Sequence, residues 1–170
     1  MLKENIAVTI ADWTQSEADR GKMLPKTTKE ILTELSEGRG YVLPDSEGAP
    51  IAYCRYLVWS PELIEVGSTV VDPNPGEGKR RKGAGTRVTL ETITMAHTKL
   101  LSARIIGLTE NPDSEAMITK MGGVVKEKSA IDPVVWELCA KPGQECSHLG
   151  EFPDCPCTLF DLTHLAYNDK

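Results

Sequence analysis

A basic, glycine-rich turn in the middle of the chain constrains its fold more than any other feature. Residues 78–87 read GKRRKGAGTR, and they follow the β-rich run ELIEVGSTVVDP. After Thr86 the apolar residues recur at helical spacing, with Ile93, Ala96 and Leu100 at positions i, i+3 and i+7. A strand, a glycine turn and a long helix in this order predict an α/β fold in which helices pack on a sheet.

The patterns elsewhere predict the order strand, two helices, three strands, helix, strand, helix and two strands. A first strand is expected in NIAVTI, where Ile6, Val8 and Ile10 alternate, and a weakly patterned helix in DWTQSEADRGKML. The next helix, in PKTTKEILTELSEG, has a capping box formed by Thr27 and Glu30. Two strands around PDSEGAP predict a hairpin, SARIIGLT a buried strand, NPDSEAMITKMGG a short helix, and GVVKEKSAIDPVVWELCA two strands. Near the end, TLFDLTHLA predicts a short amphipathic helix.

The composition indicates a globular protein of one ordinary domain. The 170 residues are 40% hydrophobic and 26% charged. A net charge of −6 disfavours binding to nucleic acid, because the chain as a whole repels polyanions. No apolar run approaches the ~18 residues of a membrane span, and the start MLKENIAVTIADW is broken by charges where a signal peptide needs an apolar stretch. We therefore expect a cytoplasmic protein without a membrane partner.

The glycine turn has the chemistry of an anion site. Backbone N–H groups at the start of a helix point the same way, and the positive end of the helix dipole favours negative charge. Gly83 and Gly85 would allow a pyrophosphate to approach the backbone closely. Three cations and one hydroxyl would add to the site: Arg80, Arg81, Lys82 and Thr86. The alternative is a basic loop that only faces solvent.

Two motifs lie on either side of the predicted strand RIIGLT. In the first, Arg80, Gly83 and Gly85 fit the pattern R/Q-x-x-G-x-G/A. The second consists of Asn111, Ser114, Lys120 and Gly122. Together they resemble the two acetyl-CoA signatures of the GNAT superfamily of N-acetyltransferases. The resemblance covers roughly residues 5–140 and assigns residues 1–140 to a GNAT-like domain, with residues 141–170 as a Cys- and His-containing extension.

The resemblance implies a mixed, mostly antiparallel sheet of six to seven strands with about four flanking helices. In such a fold LIEVGSTVV and RIIGLT would splay apart, and the pantetheine arm of acetyl-CoA would lie between them. The implied cofactor-binding residues are Val70, Val71, Arg80, Arg81, Lys82, Gly83, Ala84, Gly85, Thr86, Asn111 and Ser114. The chain departs from the family pattern in its longer loop NPGEGK, in Arg81 where a glycine is common, and in Ile118 where a tyrosine often protonates the departing thiolate.

The implied reaction is transfer of an acetyl group from acetyl-CoA to a primary amine of a small molecule, an amino acid or a peptide. Glu65 would take the amine proton, and the backbone N–H of Thr69 would polarise the thioester carbonyl. The alternative for Glu65 is a carboxylate at the end of a strand that faces solvent. The alternative for the whole chain, suggested by Ile118, is a non-catalytic module that binds acyl-CoA or another protein.

The hairpin whose second strand is IAYCRYLVW resembles the acceptor side of the family, together with the turn that follows it. The candidate contacts are Tyr53, Arg55, Tyr56, Trp59 and Glu62, and their alternative roles are core packing for the aromatic residues and solvent exposure for the charged ones. Cys54 in the same run is expected to be a small core residue.

Cysteines are concentrated near the end of the chain. Cys139 precedes the run CSHLGEFPDCPC, whose four soft or borderline donors would suit zinc: Cys146, His148, Cys155 and Cys157. Such a site would be structural, and the alternative is a set of reduced, unliganded thiols. The sequence also leaves open whether the protein forms a homodimer.

Overall fold

A computed structural model of the chain describes residues 2–74, 82–130 and 155–167. These residues form four α-helices, six strands and two short 3₁₀ helices, at Lys128–Ala130 and Thr163–Tyr167. In chain order the helices and strands are α1 (Leu2–Ala18), α2 (Thr28–Ser36), β1 (Gly40–Pro44), β2 (Pro50–Ser60), β3 (Leu63–Val71), α3 (Ala84–Lys99), β4 (Arg104–Thr109), α4 (Pro112–Met121), β5 (Val124–Lys126) and β6 (Thr158–Asp161).

The six strands form one sheet in the order β1-β2-β3-β4-β6-β5. Neighbouring strands are antiparallel except β3 and β4, which are parallel and are connected through α3. A parallel pair needs such a crossover, because a tight turn can only reverse the chain. The predicted α/β architecture, a mixed and mostly antiparallel sheet with four flanking helices, is confirmed.

Helices cover both faces of the sheet. Cys54 and Tyr56 of β2 face α3, in a core that includes Val88 and Ile93. Tyr53 points to the opposite face, as alternation along a strand requires, and packs with residues of the first two helices: Ala7, Ile10, Trp13 and Ile31. Within the described ranges, no helix has the length and apolar character needed to cross a membrane.

Local signals correctly predicted α2 and the hairpin. The Thr27 hydroxyl accepts from Glu30 N at 3.2 Å, and Glu30 Oε2 accepts from Thr27 N at 2.7 Å. This reciprocal pair satisfies two backbone donors that the first turn would otherwise leave without a partner. The segment around PDSEGAP joins β1 to β2 as expected, and Asp45 Oδ1 accepts from the backbone N–H groups of Glu47 and Ala49 at 2.9 Å each.

The predicted first strand is wrong, because NIAVTI lies within helix α1. Ala7, Ile10 and Trp13 are buried at helical spacing, whereas Val8 is 47% exposed. A strand would have buried Val8 together with Ile6 and Ile10. The short run satisfies both periods, and packing against α2 selects the helix.

The prediction for the end of the chain is also wrong. TLFDLTHLA forms strand β6 and a 3₁₀ helix instead of an amphipathic helix. The consecutive residues Leu159 and Phe160 are both almost fully buried, and they belong to separate hydrophobic clusters. Consecutive residues of a strand point to opposite faces, so β6 lies inside the sheet with both of its faces covered. Strand β6, which lies in the expected extension of residues 141–170, is part of the same sheet as the other five strands. The second strand expected in DPVVWELCA lies outside the described residues.

Candidate active site

Strands β3 and β4 pair at one end and separate at the other. Their parallel ladder joins Leu63–Glu65 to Arg104–Ile106, while β3 continues to Val71 and β4 to Thr109. Over the described lengths of both strands, no later pair of residues is in register. The predicted splay is present, and it leaves a gap between the carboxyl ends of two neighbouring strands.

A β-bulge in β3 lies beside this gap. Tyr53 pairs with Val70 and Arg55 with Gly67, so two residues of β3, Ser68 and Thr69, lie opposite Cys54 alone. Ser68 has a φ of 53°, the left-handed region that a non-glycine residue seldom adopts. A bulge leaves an extra residue unpaired in the ladder and turns its peptide groups away from the regular direction.

The side chain of Thr69 points to α3, away from Arg55. Its hydroxyl donates to Cys54 Sγ at 3.2 Å and lies 3.1 Å from the hydroxyl of Thr89. Thr89 in turn donates to Gly85 O at 2.8 Å. Burial raises the pKa of the Cys54 thiol, which agrees with its predicted role as a core residue and not as a nucleophile. The side chain of Thr69 is therefore anchored in the core, so that any catalytic role would fall to its backbone.

The start of α3 lies at the mouth of the gap. Gly83 is the N-cap residue with a φ of 80°, and no described atom lies within 4 Å of where its Cβ would stand. A Cβ on Gly85 would lie 3.1 Å from Met117 Sδ and 3.5 Å from Val71 Cγ2. The first turn of α3 thus meets the end of β3 and one side of α4, as a phosphate cradle at the end of the gap requires.

The other predicted cofactor residues near this turn fall into three groups. Arg80 and Arg81 lie outside the described residues. Lys82 is exposed and Thr86 is partly buried at the start of α3. The side chains of Val70 and Ala84 are buried in the core, and Val71 packs beside the core on the α3 face, so only their main chains remain candidates for binding the pantetheine arm.

Helix α4 presents Met117 to Gly85 at the start of α3, whereas Ile118 belongs to the core. Ile118 is 7% exposed, and its Cδ1 lies 3.7 Å from the Cβ position of Gly107. Asn111 has a structural role as the N-cap: its Oδ1 accepts from Asp113 N and its Nδ2 donates to Lys22 O, both at 2.9 Å. Binding of the cofactor by Asn111 and Ser114 stays a prediction.

Glu65 lies on the face of β3 opposite to α3. Its Oε2 accepts a 2.9 Å hydrogen bond from Trp59 Nε1. Burial raises the pKa of the Glu65 carboxyl, and this outweighs the opposing effects of Arg55 and of the Trp59 hydrogen bond. A partly buried carboxylate with a raised pKa is a better proton acceptor than one in water, which is the property a general base needs.

A buried ionic cluster, which the sequence reasoning missed, lies beside Glu65. Glu34 Oε1 is 2.8 Å from Lys26 Nζ and 3.2 Å from Arg55 Nε, while its Oε2 accepts a hydrogen bond from Tyr53 OH. The side chains of Lys26 and Arg55 are 10% and 16% exposed. Glu34 is one turn after the buried Ile31 in a correctly predicted helix, and this position on the apolar face of α2 was the signal available in the sequence.

The structure separates the five candidate acceptor contacts. The face that carries Glu65 also carries Arg55, Trp59 and Tyr53. Tyr53 is buried with Glu34, Tyr56 OH donates to Gly38 O at 3.1 Å on the α3 face, and Glu62 is exposed at the turn after β2. Core packing, the alternative for the two tyrosines, is therefore what the structure shows.

The zinc prediction falls mainly on residues that are not described. Cys139, Cys146 and His148 lie outside the described ranges, and Cys155 and Cys157 lie inside them. Among the residues with described positions, no group of three or more His, Cys, Asp or Glu side chains could hold a metal ion. Cys155 Sγ lies 3.3 Å from Lys128 Nζ.

Comparison with solved structures places this architecture among acetyltransferases. The chain is similar to N-acetylglutamate synthase from Neisseria gonorrhoeae complexed with coenzyme A and N-acetyl-glutamate, at 14% identity and a TM-score of 0.63 over 89% of this chain. The similar region spans only 31% of that synthase. It is also similar to Rv2747 from Mycobacterium tuberculosis, solved with CoA, at 19% identity and a TM-score of 0.64 over 92% of this chain and 93% of that one.

A third similar structure carries the family name. It is a GNAT superfamily phosphinothricin acetyltransferase from Sinorhizobium meliloti in complex with AcCoA, at 20% identity and a TM-score of 0.55 over 72% of each chain. No family model matches the sequence, and no curated protein matches it. The chain thus has the fold of the GNAT acetyltransferases, and the predicted resemblance is confirmed at the level of the fold.

Proposed function

We propose that the protein is an acetyl-CoA-dependent N-acetyltransferase that acts on a primary amine of a small molecule, an amino acid or a peptide. The observation that carries the proposal is the gap between β3 and β4, with the glycine start of α3 at its mouth and Glu65 beside it. The neighbours solved with CoA or AcCoA support the choice of cofactor. In this reading the pyrophosphate lies on the backbone N–H groups at residues 81–86 and the pantetheine arm extends along Thr69 and Val70.

In the proposed reaction the amine attacks the thioester directly. Glu65 accepts a proton from the ammonium form of the acceptor, and the freed lone pair of the nitrogen forms a bond to the carbonyl carbon. The second proton that this nitrogen must lose passes to water. The backbone N–H of Thr69 donates to the carbonyl oxygen as negative charge develops there. The carbon–sulfur bond breaks, and the CoA thiolate takes a proton from water or from Ser114. Deprotonation is the harder step for a lysine-like amine, which costs about 4.6 kcal/mol at pH 7 against about 1 to 1.5 kcal/mol for an α-amine.

The second candidate is a non-catalytic module that binds acyl-CoA. The burial of Ile118 favours it, because the position expected to carry the proton-donating tyrosine is part of the core. An isoleucine there does not exclude catalysis, since a thiol of ordinary pKa is only one or two pH units from ionising at neutral pH and can leave without an acid at a cost of about 2 kcal/mol.

Two measurements separate these functions. Calorimetry with acetyl-CoA tests binding, and release of free thiol over time tests transfer to a panel of amino acids, polyamines, aminoglycosides and peptides. We expect binding together with turnover of at least one amine. Tight binding without turnover of any of them would favour the module, and absence of binding would remove both candidates.

The proposal also includes a cytoplasmic location and a structural zinc ion. The zinc, bound by the last cysteines, would hold the end of the chain on the domain.

A further inference from the structure

An opening on the sheet separates the proposed base from a fixed guanidinium group. Gly67 lies directly opposite Arg55 in the β2–β3 ladder. Glu65 lies on the same face two residues before Gly67, and its Oε1 is 3.4 Å from the point where a Gly67 Cβ would stand. Glu65 Oε1 is the one described atom within 4 Å of that Cβ position outside the neighbouring residues, and Arg55 projects from the strand position directly opposite Gly67.

Arg55 is held in place by two contacts that both use Nε. This atom donates to Ser68 Oγ at 3.1 Å and lies 3.2 Å from Glu34 Oε1. Neither contact uses the two terminal Nη groups. A guanidinium has five N–H donors in a rigid fork, and the Nη groups are those that match a carboxylate in a bidentate pair. With a side chain that is 16% exposed, Arg55 is fixed at its base and accessible in part.

Two cations near this opening share one carboxylate as their partner. Lys26 and Arg55 both pair with the same Glu34 oxygen, whereas Glu65 is hydrogen-bonded to Trp59. Because both cations now pair with one oxygen of a single carboxylate, they would also stabilise a second anion beside Arg55. An α-amino acid carries such an anion next to its amine. Its ammonium group would face Glu65, and its carboxylate would face Arg55.

General strand geometry allows this arrangement. The Cα atoms of diagonal neighbours on adjacent antiparallel strands are about 7–8 Å apart, so the side chains of Glu65 and Arg55 project from nearby points on one face. An α-amino acid with one hydrogen bond at its nitrogen and one at its carboxylate spans about 8–9 Å. The ligand would thus reach both side chains while lying over Gly67.

Resting on the acetyltransferase function proposed above, we propose that the acceptor is an α-amino acid whose carboxylate is bound by Arg55, in the opening that Gly67 leaves beside Glu65. Arg55 determines specificity here and takes no part in the proton transfer. The inference selects one acceptor class and disfavours polyamines, aminoglycosides and internal lysine side chains, which have no carboxylate next to the reactive amine.

The experiment compares each common amino acid with its own α-carboxamide, at equal concentrations of neutral amine. We expect wild-type kcat/KM to be at least about tenfold higher for the carboxylate form. Arg55→Lys keeps the charge but loses the fork, and it should lower kcat/KM about 10- to 100-fold for the carboxylate form and less than about threefold for the amide. Arg39→Lys, in an exposed pair with Glu37, is the matched control and should change neither value.

A second variant leaves the ionic cluster intact. Gly67→Ala would place a methyl group in ordinary contact with Glu65 Oε1, and the backbone there needs no positive φ. It should raise KM for the amino acid at least about fivefold, because it fills the opening, and leave acetyl-CoA affinity unchanged. Equal kcat/KM for the acid and the amide in the wild type, or an equal loss for both in Arg55→Lys, would overturn the inference.

Failure of the underlying function gives a different result. If no amine releases thiol, the acetyltransferase proposal fails, but calorimetry of the CoA-loaded protein with amino acids and their carboxamides still tests Arg55. Selective binding of the carboxylate form that Arg55→Lys removes supports the site without catalysis. Absence of selective binding rejects the site.

Discussion

Trp59 Nε1 donates a 2.9 Å hydrogen bond to Glu65 Oε2 across the β2–β3 pair. The indole orients the carboxylate and also favours its ionised form, while burial of Glu65 acts in the opposite direction and is the larger effect. This pairing of a raised pKa with one fixed donor distinguishes Glu65 from a carboxylate that only faces solvent at the end of a strand.

Replacing Glu65 with glutamine tests the base. The amide oxygen can still accept from Trp59, so the fold should persist, but the side chain can no longer take a proton. We expect kcat/KM to fall about 10²- to 10⁴-fold, with acetyl-CoA affinity nearly unchanged in calorimetry. Identical pH profiles and magnitudes for wild type and variant on the same amine would show that Glu65 has no part in proton transfer.

Replacing Trp59 with phenylalanine should move the acidic limb of the kcat/KM profile to higher pH. The hydrogen bond from the indole lowers the pKa of Glu65, so its loss raises that pKa and a smaller fraction of the carboxylate is ionised at a given pH. We expect a shift of up to about one pH unit, with the plateau at high pH largely retained. The Glu65→Gln variant serves as the control, since adding Trp59→Phe to it should shift nothing.

Gly83 provides a test of the phosphate cradle with a matched control. Gly83 and Gly48 have similar φ values, 80° and 86°, and neither has a described atom within 4 Å of its Cβ position. Leucine at either position should destabilise the fold by a similar amount, about 1–2 kcal/mol. Only Gly83→Leu should abolish acetyl-CoA binding in calorimetry. Equal affinity in the two variants would remove the cradle from the proposal.

Helix α4 provides a test of the leaving-group step. Ile118→Tyr should destabilise the protein by about 1–3 kcal/mol through overpacking and change kcat by no more than about tenfold, because the ring enters the core near Gly107 instead of the gap. Ile118→Leu should leave both properties near wild type.

The hydroxyl of Ser114 is the proposed proton donor to the thiolate. Ser114→Ala should therefore lower kcat up to about 30-fold. Unchanged kcat in Ser114→Ala would assign that proton to water.

The zinc hypothesis predicts about one zinc ion per chain in protein purified without a metal-affinity step. Cys157→Ser should lose that zinc and lower the Tm, and a chelator should have the same effect on the wild type. Cys54→Ala removes a buried thiol on the sheet and should keep the metal. Elemental analysis close to zero, together with a Tm that does not respond to the chelator, would leave these cysteines as reduced thiols.

Features that rest on neighbouring residues were predictable from the sequence. The capping box of α2, the turn between β1 and β2, and the glycine start of α3 each depend on a few consecutive residues whose side chains or φ angles act on their own backbone. The resemblance of the two motifs then fixed the fold class, and the splay of β3 from β4 followed from it.

Features that depend on distant packing were not predictable in this way. NIAVTI and TLFDLTHLA have apolar patterns that fit a helix or a strand. The surface that covers each run decides between helix and strand. NIAVTI packs against α2 as a helix, and the run TLFD at the start of TLFDLTHLA lies between β4 and β5 as a strand.

The amino-acid sequence by itself determined the order of most elements, the place of the glycine turn and the candidate base. Only the tertiary structure decided what surrounds that base. The bulge at Ser68, the opening at Gly67 and the cluster of Lys26, Glu34 and Arg55 bring together residues of α2, β2, β3 and the loop before α2. Their pairing depends on strand register and on the burial of charges, and both are set when the helices pack on the sheet, since the electrostatic cost of a buried carboxylate arises only after water has been excluded.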